Sequence, residues 1–201
     1  MTAGFDIVLA SASLRRRRIF EELGIPFEVA PADIDEAMNA GEAPVAYALR
    51  AAKEKARAVA AAFATRGRTP WIVGADTIVL LGDAVLTKPT SRTEAAQMLG
   101  RLSGREHTVI TGWAVGRHGG PWIERTTETR VFFHALSEEQ IQGYAATGEG
   151  MDKAGAYAIQ GIGAFLVERI EGDYFNVVGL PISLVMRALL ELGALPGFLA
   201  P

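Results

Sequence analysis

Trp71-Ile72-Val73-Gly74-Ala75-Asp76-Thr77-Ile78-Val79-Leu80-Leu81 is the stretch on which the fold turns. It lacks the alternation of a half-solvated strand and reads as a strand covered on both faces, the pattern of a sheet with helices packed on it. Asp76 interrupts the apolar run, which resumes at Ile78. A carboxylate at the end of a buried strand costs free energy unless a cation, a metal or hydrogen-bond donors meet it. Asp76 is therefore a candidate for catalysis or coordination. The alternative is a structural aspartate capping a turn, and the apolar residues on both sides weigh against an idle charge.

Towards the N-terminus, Phe5 to Ala10 reads as a strand, Ser11 to Ser13 as a polar loop, and Leu14 to Leu23 as a helix ending at Gly24. Phe27 to Ala30 follows as a further strand, and Asp33-Ile34-Asp35-Glu36 as an acidic loop. Pro44 suits the first turn of a long helix whose apolar stripe is Val45, Ala48, Leu49, Ala52, Ala56, Val59 and Phe63. Towards the C-terminus, Ser91-Arg92-Thr93-Glu94 opens a helix to about Leu102 in the manner of a capping box. Val109 to Val115 and Ile123 to Phe133 form a hairpin, and Ser137-Glu138-Glu139-Gln140 starts a helix to about Thr147. Residues 148–163 hold five glycines and little periodicity, the mark of a loop shaped around something. Phe165 to Ile170 is expected as a strand, Pro181 to Leu192 as a closing helix capped by Gly193, and residues 194–201 as a loose tail. No repeat, linker or low-complexity tract divides the 201 residues, so a single α/β domain is expected: a mixed sheet with flanking helices.

Composition narrows the function classes. With 49% hydrophobic and 21% charged residues the chain can bury a substantial core. The absence of cysteine removes disulfides, thiolate metal sites and cysteine nucleophiles, so any metal must use oxygen or imidazole. A net charge of −3 argues against a nucleic-acid binder. No apolar run approaches the roughly 20 residues of a membrane span, and no secretory leader is evident, so a cytoplasmic protein is expected.

Ser11-Ala12-Ser13-Leu14-Arg15-Arg16-Arg17-Arg18 lies at a strand-to-helix junction, where free backbone N–H groups and the helix dipole favour an anion. Successive helical residues point about 100° apart, so only one or two of the four arginines can reach one ligand. A serine N-cap followed by a solvated basic face explains the segment equally well. Lys55 and Lys88, taken alone, read as surface lysines. Asp33, Asp35 and Glu36 could supply oxygen ligands to a hard divalent ion, although short acidic loops are more often solvated. His107, His118 and His134 show no metal spacing.

Taken in order, the clusters resemble one family. Leu9-Ala10-Ser11-Ala12-Ser13-Leu14-Arg15-Arg16, Lys53-Glu54-Lys55-Ala56, Gly74-Ala75-Asp76-Thr77, Lys88-Pro89, Leu102-Ser103-Gly104, Asp152-Lys153-Ala154-Gly155-Ala156-Tyr157, Ile159-Gln160-Gly161 and Asn176-Val177-Val178-Gly179-Leu180-Pro181 are similar to the motifs of the Maf nucleotide pyrophosphatases. Leu14 departs from the pattern, which has proline before the first arginine. The resemblance implies two lobes around a deep cleft, as in the ITPase-like architecture, and hydrolysis of a nucleoside triphosphate to monophosphate and pyrophosphate. It assigns Asp76 as the base that activates water, Glu36 and Asp76 as holders of a divalent cation (Mg²⁺, Mn²⁺ or Co²⁺), and Arg16, Lys55 and Lys88 as phosphate contacts, with Ser11 among the substrate-binding residues. Arg15, Thr77 and Gln160 fall on the specificity positions, with the residues of the branch acting on dTTP and UTP. An amide can donate to and accept from uracil or thymine. The 7-methyl-GTP branch and a non-catalytic nucleotide-binding regulator of septum formation are the alternatives, and a homodimer is compatible with the sequence.

Overall fold

The computed structural model describes residues 6–35 and 37–195. In chain order the elements are β1 (Ile7–Leu9), α1 (Leu14–Glu22), β2 (Glu28–Val29), α2 (Pro44–Ala64), β3 (Trp71–Leu81), β4 (Ala84–Leu86), α3 (Arg92–Leu102), β5 (Glu106–Gly116), β6 (Trp122–Phe133), α4 (Glu138–Thr147), β7 (Val167–Glu171), α5 (Tyr174–Val178) and α6 (Ile182–Glu191). Short 3-10 turns lie at Ala154–Ala156 and Gly161–Leu166. The strands pair in the order β2-β1-β3-β5-β6-β7, with β4 beside β3. The sheet is mixed, as expected: β1 runs parallel to β2 and β3, whereas β4 and β7 pair antiparallel with β3 and β6.

The chain packs as two units that share its long strands. Unit 1 comprises the segment ending at Asp76, Thr111–Thr126 and the segment from Gly179; unit 2 comprises Thr77–Ile110 and Thr127–Val178. Within unit 1, Val8, Ile72 and Ala114 of the strands, with Ala10 just after β1, pack against Ala56, Val59, Ala60 and Phe63 of α2. The approach of α2 is close because both partners lack bulk. A Cβ on Gly74 would lie 2.6 Å from the Ala52 carbonyl oxygen, and one on Gly112 only 2.2 Å from that of Ala48. Glycines on the strands facing Ala48, Ala52 and Ala56 thus let the helix backbone rest almost on the sheet. Within unit 2, Leu99 and Leu102 of α3, Ile141 and Tyr144 of α4, and Val109, Val131 and Phe133 of the strands form one core with Tyr157 and Leu166.

Several expectations need correction. β3 is unbroken, and Asp76 lies in its middle instead of at its end; the charge is met by a lysine, so the strand has no reason to stop. In α2, Ala48, Ala52, Ala56, Val59 and Phe63 are buried as expected, but Val45 is exposed and Leu49 half-buried, and Ala51, Lys55 and Ala60 complete the buried face. β7 begins at Val167, because Phe165 and Leu166 close a 3-10 turn. Ala194 and Leu195 are buried and not loose: Gly193, at φ +72°, ends α6 and lets the Ala194 N–H reach the Leu189 carbonyl at 2.8 Å. β4 and α5 were not anticipated from the sequence. Among the described residues no helix is long and apolar enough to cross a membrane.

Candidate active site

β1 delivers the chain to Ser11, and the loop that follows is closed by its own hydroxyls. The Ser13 N–H donates to Ser11 Oγ at 3.2 Å, and Ser13 caps α1 by accepting from the Arg16 N–H at 3.4 Å. The four arginines then separate by helical phase. Arg17 and Arg18 face outward, Arg17 pairing with Glu21 at 2.7 Å, while Arg15 is half-buried and Arg16 buried. Arg16 Nε donates to the Gly179 carbonyl at 2.7 Å, and Nη1 donates to Ser11 Oγ at 3.1 Å and to the Ala75 carbonyl at 2.9 Å. That last carbonyl belongs to the peptide leading into Asp76. Arg16 therefore joins the Ser11 loop, the Gly179 segment and the backbone at Asp76, and its guanidinium is already engaged with protein oxygens.

Asp76 is 9% and Lys55 8% exposed, and Lys55 Nζ donates to Asp76 Oδ1 at 2.7 Å. Reading Lys55 as a surface lysine is thus incorrect. The stripe of alanines and Gly74 brings α2 close enough to β3 for the ammonium to meet the carboxylate, which offsets the cost of burying either charge alone. Unit 1 so brings together Ser11, Arg16, Lys55 and Asp76, with Arg15 on the next position of α1. Glu36 lies outside the described residues. Asp33 and Asp35 are exposed, and Asp35 accepts from the Ala37 N–H at 2.9 Å as a turn-forming side chain.

Among the described residues no three of His, Asp and Glu are grouped to hold a metal, and Asp76 is the buried carboxylate. Mg²⁺ is usually bound by one or two carboxylates together with substrate phosphates and water. Asp76 is thus a carboxylate of the kind that can join substrate phosphates on such an ion.

Unit 2 holds the other three expected positions. Thr77 follows Asp76 on β3 and is half-buried, whereas Lys88 and Gln160 are exposed. Gln160 precedes the 3-10 turn at Gly161–Leu166 in extended backbone. Two residues that the sequence reading passed over stand beside it: Glu149 and Tyr144, whose side chains bind the glycine-rich segment. The signal was available, because Glu149 stands directly between Gly148 and Gly150.

His107 lies on β5 in the core of unit 2, 2.8 Å from the Tyr157 hydroxyl and edge-on to Phe133. Burial lowers its pKa to about 4, and burial together with Tyr144 raises that of Tyr157, so both are neutral structural groups near pH 7.

Comparison with known proteins fixes the relationship. A family model described as "Maf-like protein" matches residues 6–192. The chain belongs to the Maf family. Curated Maf relatives include a dTTP/UTP pyrophosphatase of Myxococcus xanthus, 52% identical over 191 residues covering 94% of this chain and 93% of the relative. Another, from Geobacter sulfurreducens, also a dTTP/UTP pyrophosphatase, is 49% identical over 190 residues covering 94% and 97%. Likeness to solved structures is weak: a HAM1 protein from Coxiella burnetii gives a TM-score of 0.44 at 19% identity over 65% of this chain and 73% of that one. Membership in the Maf family rests on the sequence matches.

Proposed function

We propose that this Maf protein is a cytoplasmic nucleoside triphosphate pyrophosphatase that hydrolyses dTTP and UTP to the monophosphate and pyrophosphate. The observation that carries the reading is the buried Lys55–Asp76 pair at 2.7 Å, held in a chain about half identical to dTTP/UTP pyrophosphatases over nearly its whole length. Asp76 accepts a proton from the attacking water as the bond between the α and β phosphates breaks. Arg16 holds the peptide before Asp76, and Lys55 holds its Oδ1, so the base is placed before substrate arrives. Ser11, Arg16, Lys55 and Lys88 supply donors and positive charge to the phosphates, and the amino end of α1 adds its dipole. A divalent cation (Mg²⁺, Mn²⁺ or Co²⁺), when bound by Asp76 and Glu36 with the phosphates, neutralises charge on the pyrophosphate leaving group. Arg15, Thr77 and Gln160 select the base, the Gln160 amide pairing with the N3–H and carbonyls of uracil or thymine.

A screen of pyrophosphate release from purified protein tests this, with dTTP, UTP, CTP, GTP and 7-methyl-GTP as substrates and each of the three cations present. Turnover highest on dTTP and UTP is expected. Preference for 7-methyl-GTP would overturn the pyrimidine assignment, and binding without turnover of any substrate would leave a nucleotide-binding regulator.

A further inference from the structure

An exposed glutamine chooses among many rotamers and backbone placements, and its selectivity depends on what holds the chain around it. Gln160 is exposed, yet its flanks are fixed. Before it, the Ala158 N–H donates to the Tyr144 hydroxyl at 3.1 Å, and that hydroxyl donates to Glu149 Oε2 at 2.9 Å. After it, the Ile162 N–H donates to Glu149 Oε1 at 3.0 Å and the Gly163 N–H to Glu149 Oε2 at 2.8 Å. One carboxylate, directly and through one tyrosine, therefore ties the chain on both sides of Gln160.

The surrounding sequence is shaped to this arrangement. Gly148, at φ +75°, ends α4 in the left-handed conformation, and the Glu149 N–H then donates to Thr147 Oγ1 at 3.1 Å, which turns the glutamate back towards the segment it binds. A Cβ on Gly161 would lie 2.2 Å from Glu149 Oε1, and one on Gly163 2.6 Å from the Tyr144 hydroxyl. Gly161, at φ +70°, and Gly163, whose Cβ would also lie 2.3 Å from the Ala158 carbonyl oxygen, keep this stretch free of side chains where it passes the carboxylate and the tyrosine. Burial tends to raise the pKa of Glu149, but the Gly163 N–H, the Tyr144 hydroxyl, the Ile162 N–H and the Lys153 charge outweigh it and hold the carboxyl below its usual range. It stays ionised and acceptor-only, as three donors require.

We propose that Glu149 is a positioning residue for base selection: with the Tyr144 hydroxyl it clamps the chain around Gln160 and so sets where the amide meets the base of a pyrimidine nucleoside triphosphate. This role rests on the assignment of base recognition to Gln160. Glu149 touches no substrate, and its effect passes through the placement of Gln160.

Glu149→Gln tests it in the full-length protein. The amide keeps the size of the side chain but turns an NH₂ group towards backbone donors, so at least one bond is lost. A misplacement on the order of 1 Å costs about a hundredfold, so kcat/KM for UTP is expected to fall about ten- to a hundredfold, mostly in KM. Turnover of CTP, which the amide does not select, should stay unchanged, so the UTP-to-CTP ratio collapses. Tyr144→Phe, which removes the hydroxyl that joins the Ala158 N–H to Glu149, should lower the ratio too. Amide hydrogen exchange at Ile162 and Gly163 should quicken in Glu149→Gln. A glutamate that merely stabilises the fold would lower activity on both substrates alike, and a preserved ratio in the folded variants overturns the proposal. If wild-type protein shows no preference for UTP or dTTP, the base-recognition reading fails and the role of Glu149 in selection falls with it. The exchange data then show separately whether the clamp exists, and unchanged exchange at both amides denies it.

Discussion

Asp76→Asn keeps the shape of the side chain, removes its charge, and takes from the Lys55 ammonium the carboxylate 2.7 Å away. The two side chains are only 10% and 12% exposed, so solvent screens the pair little. Removing one partner of a buried pair costs about 3–5 kcal/mol, and the slight exposure favours the lower end, about 3 kcal/mol. For a chain of this length each kcal/mol moves the melting temperature by about 2–4 °C, so a fall of roughly 6–12 °C is expected. Turnover should fall by about 10²–10⁴ through loss of the general base. Lys55→Met should destabilise to a similar degree, but the double variant should be about as stable as either single one, because a coupling of about 3 kcal/mol, at the upper end for contacting residues, is then absent from both. The assay is a double-mutant cycle by denaturant unfolding, with pyrophosphate release measured on each folded variant. Additivity of the two substitutions to within about 0.5 kcal/mol would refute the energetic coupling, and wild-type turnover by folded Asp76→Asn would refute the base.

Other outcomes follow from the same geometry. Gly112→Ala places a methyl 2.2 Å from the Ala48 carbonyl oxygen and should destabilise by about 1–3 kcal/mol or more, read by denaturant midpoint, with turnover reduced because α2 carries Lys55. Chelation should abolish pyrophosphate release, and Mg²⁺, Mn²⁺ or Co²⁺ should restore it. His107 is neutral in the fold down to about pH 4 but protonates at an unfolded value near 6.5, so stability is constant above pH 6.5 as far as this group is concerned. Below that the unfolded chain binds the extra proton, and stability should fall by about 1.4 kcal/mol per pH unit, or about 3 kcal/mol by pH 4. Unfolding measured from pH 7.5 to 4 should show this slope in wild type and a flatter one in His107→Gln.

What the sequence made legible, and what it hid, divides along the range of the interactions. Elements with local signals were readable: Ser91 and Ser137 cap α3 and α4 through their own side chains, and Pro44 opens α2. The same locality explains why Asp76 could be singled out, since the cost of a charge inside an apolar run is visible without knowing what meets it. Its partner was not visible. Lys55 is separated from Asp76 by 21 residues, and on α2 alone nothing distinguishes it from a solvated lysine. The expected stripe already held Ala48, Ala52 and Ala56, which pack by smallness against Gly74 and Gly112, but it also took in Val45 and Leu49 and left out Lys55. An alanine contributes little to an apolar periodicity and much to a close approach, so a reading by hydrophobicity finds most of the face but has no reason to place a lysine on it. Once the small residues fix the rotation, Lys55 falls on the buried side, and a lysine there requires an acid within reach. The glycines of β3 and β5 thus bear on the chemistry as directly as Asp76 does, because the distance they allow brings the ammonium to the carboxylate.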